Sequence, residues 1–207
     1  MEKPRFPKRF FTKGVEPETD KSIGYYSSDT KLFEALHKLL SDDEWTELES
    51  SSLGVFFKFV KMKFSWASMV VKCMLSMQIV CLKPFEIWSV VGASPVRFSL
   101  HEFAHITGLN CEYKEKLETP DTAEDTDDAV VFWEKLGVNV NSGPTIENLT
   151  RACGWAEDWS REDRKRLAYL AVYAGFIVAR RPSIATPVEM AKLVMDLEEF
   201  EGYPWGR

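Results

Sequence analysis

The pattern His101-Glu102-Phe103-Ala104-His105 is the one place where the chain spaces residues as a known reaction needs them. Two histidines four apart share a helix face and can hold zinc, and the glutamate between them can activate a bound water. A zinc site also needs a third ligand, and the only other histidine is His37. Ser99 stands three residues before Glu102, which is the signature of a capping box. On that reading Glu102 serves the first amides of its own helix. Leu100, Phe103, Ala104 and Thr107 form the apolar face, and both histidines lie on the polar side. No metal or cofactor site is expected. Cys73, Cys81, Cys111 and Cys153 form no CxxC pair. No phosphate-cradling glycine loop, nucleophile elbow or kinase signature is present. The paired acids Asp42-Asp43 and Asp127-Asp128 sit where helix dipoles or solubility explain them. The chain reads as a protein without catalytic chemistry of its own.

Three basic clusters remain as candidate binding residues. The first is Lys3, Arg5, Lys8, Arg9 and Lys13, in a stretch without apolar period. The second is Lys58, Lys61 and Lys63, within residues 50–85, which contain five lysines and no acid. The third is Arg161, Arg164, Lys165 and Arg166, with Arg180 and Arg181 further along the same predicted helix. A basic arm beside a helical body is one way to follow DNA phosphates or a minor groove. The same clusters also fit a solvated face or a nuclear-import signal. Contact with DNA requires at least two of them to fold onto one face.

The elements that must carry these groups are mainly helical. The chain has 207 residues, 45% apolar and 28% charged, enough for a core without metal or disulfide help. Residues 1–28 read as a basic flexible arm tacked down by Phe6, Phe10 and Phe11, and residues 29–207 as the globular domain. Leu32, Leu36, Leu39 and Leu40 mark a first helix capped by Asp29, and Asp42 to Glu49 a second. Ser65 caps a predicted helix to about Val80 with a stripe of Trp66, Met69, Val70, Cys73, Met74 and Met77. Lys72 and Gln78 mark this stretch as a buried soluble helix rather than a membrane span. Residues 86–98 read as strand, turn, strand, followed by a helix to Thr107 stopped by Gly108. Residues 112–128 hold eight acids and two lysines, so this loop alone carries −6, equal to the net charge of the chain. Helices follow at 129–136, from Thr145, from Ser160 to Pro182, and from Thr186 to about Phe200. The fold class is mainly α, a helical domain with a small β-hairpin before the SLHEFAHITGL helix. The basic start lacks an apolar signal region, and free thiols fit a reducing compartment, cytosol or nucleus.

The run Glu86-Ile87-Trp88, then Val96-Arg97-Phe98-Ser99-Leu100-His101-Glu102-Phe103-Ala104-His105-Ile106-Thr107-Gly108-Leu109-Asn110-Cys111, resembles the plant domain family DUF1985. Val188-Glu189-Met190, Asp196 to Phe200 and Tyr203-Pro204-Trp205-Gly206-Arg207 are similar to its closing segment, and Trp133 to Leu136 and Thr145 to Leu149 fall in order between them. The resemblance spans about residues 30–207. In the family pattern the place of His101 is often Arg, which supports a non-metal reading of the histidines.

The resemblance implies an association with Mutator-like transposable elements. Some such domains are fused to Ulp1-like cysteine proteases. Others resemble the VANC anti-silencing proteins of VANDAL elements, which recognise element DNA and counter its methylation. No protease domain is evident here, so the expectation is a nuclear, sequence-specific double-stranded DNA-binding protein of a transposable element. Its partners would be DNA and chromatin proteins, with no membrane. The alternative is a protein-interaction module that works with a Ulp1-like protease or chromatin factor. An exposed apolar patch larger than scattered single residues would discriminate it.

Overall fold

Six consecutive residues, Leu167-Ala168-Tyr169-Leu170-Ala171-Val172, are fully buried. A helix that is apolar on every side must be surrounded by other elements, and this one is the axis of the fold. The computed structural model describes residues 6–12, 14–17, 30–63, 67–117, 120 and 126–207. The N-terminal elements are α1 (Thr30–Leu39), α2 (Asp42–Ser50), α3 (Gly54–Lys61) and α4 (Ser68–Ser76). The sheet strands β1 (Gln78–Ile79), β2 (Glu86–Val91) and β3 (Ser94–Ser99) come next, then α5 (Leu100–Thr107). The C-terminal part comprises α6 (Asp127–Leu136), α7 (Ile146–Ala152), α8 (Arg161–Val172), a π-helical turn (Tyr173–Ile177), α9 (Val188–Lys192), a 3-10 turn (Leu193–Met195) and α10 (Leu197–Gly202). The fold is mainly α with one small antiparallel sheet of order β1-β2-β3.

Short polar residues start the helices. Ser41 caps α2 and Thr145 caps α7, each returned by the side chain three residues on, Glu44 and Asn148. Thr126, Ser160 and Asp196 cap α6, α8 and α10. Gly108 and Gly137 end α5 and α6 at φ 73° and 70°, a left-handed conformation that glycine adopts without strain. α1, α2, α7 and the 3-10 turn pack directly on α8. Phe57, Phe132, Trp133, Leu136, Leu149 and Phe200 complete one continuous core. Among described residues 67–108 only Phe103 packs against that core, and Ile79 is the only hydrophobic residue of this stretch that is buried.

Four sequence expectations change. α3 was not anticipated, because residues 50–63 show lysines rather than a clear period. The helix expected from Ser65 to Val80 is α4 alone, and it gives way to β1. Its stripe faces outward: Met69 and Val70 are more than half exposed, Cys73 is exposed, and Lys72 is the buried residue. The helix expected from Thr186 to Phe200 breaks at Asp196, which caps a separate α10. Thr186 donates its hydroxyl to the Pro144 carbonyl at 2.9 Å instead of capping α9. Asp29, Ser65 and Trp66 lie outside the described residues. No described helix is long and apolar enough to cross a membrane.

The irregular segment that precedes α7 also runs close to the Thr186 carbonyl. A methyl group placed on Gly143 would sit 1.8 Å from the Thr186 backbone oxygen. Gly143→Ala should therefore force the two segments apart and cost about 3 kcal/mol, read as a lower urea midpoint with an unchanged slope.

Candidate functional site

The β2–β3 hairpin turns through Gly92 and Ala93. Gly92 takes φ 64°, at the position that a two-residue hairpin turn commonly reserves for glycine. Residues pair from Glu86 with Ser99 to Val91 with Ser94. Side chains alternate across a sheet, so Ile87, Ser89 and Val91 share a face with Phe98, Val96 and Ser94. Ser89 is buried at its centre and donates to the Met74 carbonyl of α4 at 2.7 Å. Around it Ile87, Val91, Val96 and Phe98 remain 37%, 42%, 41% and 49% exposed. Phe98 lies directly opposite Ile87, and Val96 is diagonal to Val91, so the four form a continuous ladder. Phe85, Leu82 and Ile106 add further exposed apolar side chains from the flanking loop and α5. Sequence reasoning found the strands but missed this ladder, because alternation alone reads as a half-buried strand and says nothing of whether a cover exists.

The free edge of β3 is closed to further strands. The Leu100 amide donates to the Phe85 carbonyl, which fixes the alternation: residues 94, 96 and 98 bond inward, and 95, 97 and 99 face out. Pro95 has no amide to offer. The Ser99 amide donates to Glu102 at 2.9 Å. Only Arg97 presents an outward amide.

Glu102 of the HExxH pattern is committed to the cap. It receives the Ser99 amide, the Ser99 hydroxyl and the Arg97 guanidinium. The Ser99 hydroxyl above all, with help from Arg97, holds its carboxyl down at about 2. His101 and His105 are exposed. Among the described residues no group of three His, Cys, Asp or Glu side chains is placed to hold a metal ion.

The members of the basic clusters that lie among the described residues differ in what they touch. Lys3, Arg5 and Lys13 lie outside the described residues. Lys8 and Arg9 belong to a short extended segment docked on β1: the Phe10 amide donates to the Gln78 carbonyl, and the Val80 amide to the Lys8 carbonyl. Arg9 also reaches the Ser76 carbonyl at 3.0 Å and Glu16 at 3.1 Å. Backbone pairing and Arg9 hold this part of the arm, while Phe10, expected to tack it, is 62% exposed. Lys58 and Lys63 are exposed and bear no ion pair, and Lys61 pairs with Glu49 at 3.2 Å. The third cluster is internally neutralised. Arg161 and Lys165 both hold Glu47, Lys165 also holds Glu201, Arg164 holds Glu44 at 2.8 Å, and Arg166 lies between Glu162 and Asp163. The described start of the acidic loop is tied down as well: Lys114 lies over the Tyr203 ring at 4.4 Å, and the Tyr203 hydroxyl donates to Leu117. Residues 118, 119 and 121–125 of that loop lie outside the described residues.

The ion pairs of α8 make a pH prediction. Burial pushes the Glu44 carboxyl up, yet the Ser41 amide and Arg164 outweigh it and leave it below 4.5. Arg161 and Lys165 lower Glu47 by hydrogen bonding, and for Asp163 burial is again outweighed, by Lys135 and Arg166. Lowered carboxyls contribute stability above their unfolded range and lose it as pH falls through the folded values. The urea midpoint should stay level from neutral pH to about pH 5 and fall below it. Arg164→Met should cost about 2–3 kcal/mol at neutral pH and shrink that acid-induced fall.

Comparison with known proteins gives one family. No curated protein and no solved structure matches the chain. The model of the domain of unknown function DUF1985 matches residues 75–207, from the end of α4 through the hairpin, the capped α5 and the whole C-terminal helical body. That span includes the exposed ladder and the SLHEFAHITGL helix, and on it the chain belongs to the DUF1985 family.

Proposed function

We propose that this chain is a protein-interaction module whose docking face is the apolar side of the β2–β3 hairpin. One observation carries the reading: around Ser89, which α4 covers, Ile87, Val91, Val96 and Phe98 remain part-exposed on a sheet of which, with its two helices, only Phe103 packs against the main core. Monomeric domains seldom leave such a patch uncovered without use. The closed edge of β3 excludes strand addition as the binding mode, so the partner lies across the face, as a helix covers a sheet. Residues 67–107 carry three basic residues and two acids, but Lys72 is buried and Arg97 pairs with Glu102, so only Lys83 and Glu86 are left and the unit presents little net charge. The partner is therefore a protein segment with an apolar stripe. In the setting that the family resemblance suggests, it belongs to a Ulp1-like protease or a chromatin factor.

A photo-crosslinker at Ser94 should capture that partner from nuclear extract, and the two purified proteins should then reassociate. Val96→Ser with Phe98→Ser should weaken the reconstituted complex at least about tenfold, and amides 87–98 should gain exchange protection in it. Lys58→Glu with Lys63→Glu should leave it unchanged. Crosslinking only to a second copy of the chain, or loss of binding in the lysine variant alone, would overturn the proposal.

A second reading is a nuclear, sequence-specific double-stranded DNA-binding protein of a transposable element that counteracts methylation silencing. It is favoured by exposed Lys58 and Lys63, free of ion pairs in a stretch without acids. Selection from a random duplex pool tests it. A reader using Lys58, Lys61 and Lys63 should enrich one motif, show a log–log salt slope of about −3, and lose binding in the same lysine variant. Absence of binding at low salt would remove this reading and leave the first untouched.

A further inference from the structure

A second feature lies in the helical body, away from the hairpin, and stands independently of the docking face. α1, α2, α3 and the π-helical turn enclose an open cavity of about 670 Å³. That is within the range of pockets that hold small organic ligands. Its apolar lining is mostly aromatic: Phe33, Trp45, Phe59 and Phe176, with Leu40 and Val60 beside them. Phe176 lies 5.1 Å from Phe33 and 6.3 Å from Phe59, centroid to centroid, and His37 packs on Trp45 at 4.7 Å.

Two local departures from regular structure shape this cavity. The first is the π turn itself, closed by the Val178 amide donating to the Tyr173 carbonyl five residues back. It carries Phe176 into the lining, and Gly175 beside it leaves room for Phe33, whose ring would stand 2.9 Å from a methyl group there. Single π turns in otherwise α-helical segments are often found at functional sites. The second is Lys63, which ends α3 at φ 52° and lines the rim. A lysine in the left-handed region is strained relative to glycine, and such conformations cluster at binding sites.

The charges at the rim choose the ligand. Glu49 accepts from the Trp45 indole at 3.0 Å and pairs with Lys61, so that acid and that base cancel. Glu34 and Asp42 line the cavity with no ion pair, against the single ammonium of Lys63. Two free carboxylates above a floor of aromatic faces favour a positive group, since both attract a cation and neither attracts an anion. We propose that this cavity binds a small organic cation with an apolar body, an aralkyl or alkyl ammonium compound. The aromatic rings would take the body, and Glu34 and Asp42 the ammonium.

Three probes of equal size separate charge from apolarity: 3-phenylpropylamine, 3-phenylpropanol and 3-phenylpropionate, each titrated into the whole chain and followed by ligand-observed NMR. The amine should bind best, about tenfold tighter than the carboxylate, with the alcohol between. Added salt should narrow the gap. Glu34→Gln with Asp42→Asn should weaken the amine about fivefold and leave the alcohol unchanged. Both side chains are exposed, so the melting temperature serves as the check that the fold persists. Thr46→Phe, which fills the cavity from its exposed wall, should abolish binding of all three. Equal binding of the three, preference for the carboxylate, or no binding of the amine in the wild-type chain would each overturn the proposal, whatever the variants do.

Discussion

The helical body depends on one junction, where α8 passes from charged to wholly apolar. Its first turns hold Arg161, Arg164, Lys165 and Arg166; its last six residues are sealed from solvent. The buried half can be central only if the charged half is neutralised where it meets α2. Glu44 and Glu47 do this from α2, and Glu201 and Asp163 complete the set. Breaking a pair as enclosed as Arg164–Glu44 leaves an uncompensated charge near the core. The capping box of α2 uses the same Glu44, so one carboxylate starts a helix and fixes its position on α8.

The hydrophobic residues divide into two populations with different fates. Those of α1–α3 and α6–α10 are closed into one core around α8. Those of α4, the sheet and α5 pack weakly on one another, and no side chain of α4 or α5 is a buried hydrophobic. A three-stranded sheet with two short helices cannot bury both of its own faces. The hairpin is nevertheless well specified, by a glycine turn, a capped exit and a proline at the edge. A surface so ordered and so apolar is economically explained by a partner that completes it.

Much of this was legible in the sequence. Ser99-x-x-Glu102 and Gly108 delimit α5, and Ser41, Thr145 and Ser160 start helices for local reasons that need no knowledge of the fold. Gly92 and the alternation around it gave the hairpin. What remained hidden depends on distance along the chain. Arg161, Arg164 and Lys165 read as free cations because the acids that neutralise them on α2 lie more than a hundred residues away, whereas the partners of Arg166, Glu162 and Asp163, stand beside it in the sequence. Met69, Val70 and Cys73 read as a core stripe because periodicity identifies an amphipathic helix but not which side finds a cover. The aromatic cavity had no local signal: Phe33, Trp45, Phe59 and Phe176 come from four separate elements, and only a π turn brings the last of them in.

Charge then bears on what the hairpin can bind. The chain carries −6, and residues 112–128 alone account for that sum, whereas the hairpin unit is close to neutral at its surface, with Lys72 buried and Arg97 paired with Glu102. Two copies of an acidic chain repel at long range. A partner protein with an apolar stripe is retained by the side chains of Ile87, Val91, Val96 and Phe98. Duplex DNA meets a divided balance: exposed Lys58 and Lys63 and the basic residues of 1–13 attract it, the acidic loop repels it, and Arg161, Arg164 and Lys165 are already held by Glu44, Glu47 and Glu201. The apolar surface thus favours a protein partner, and the net charge of the chain disfavours a second copy in that place.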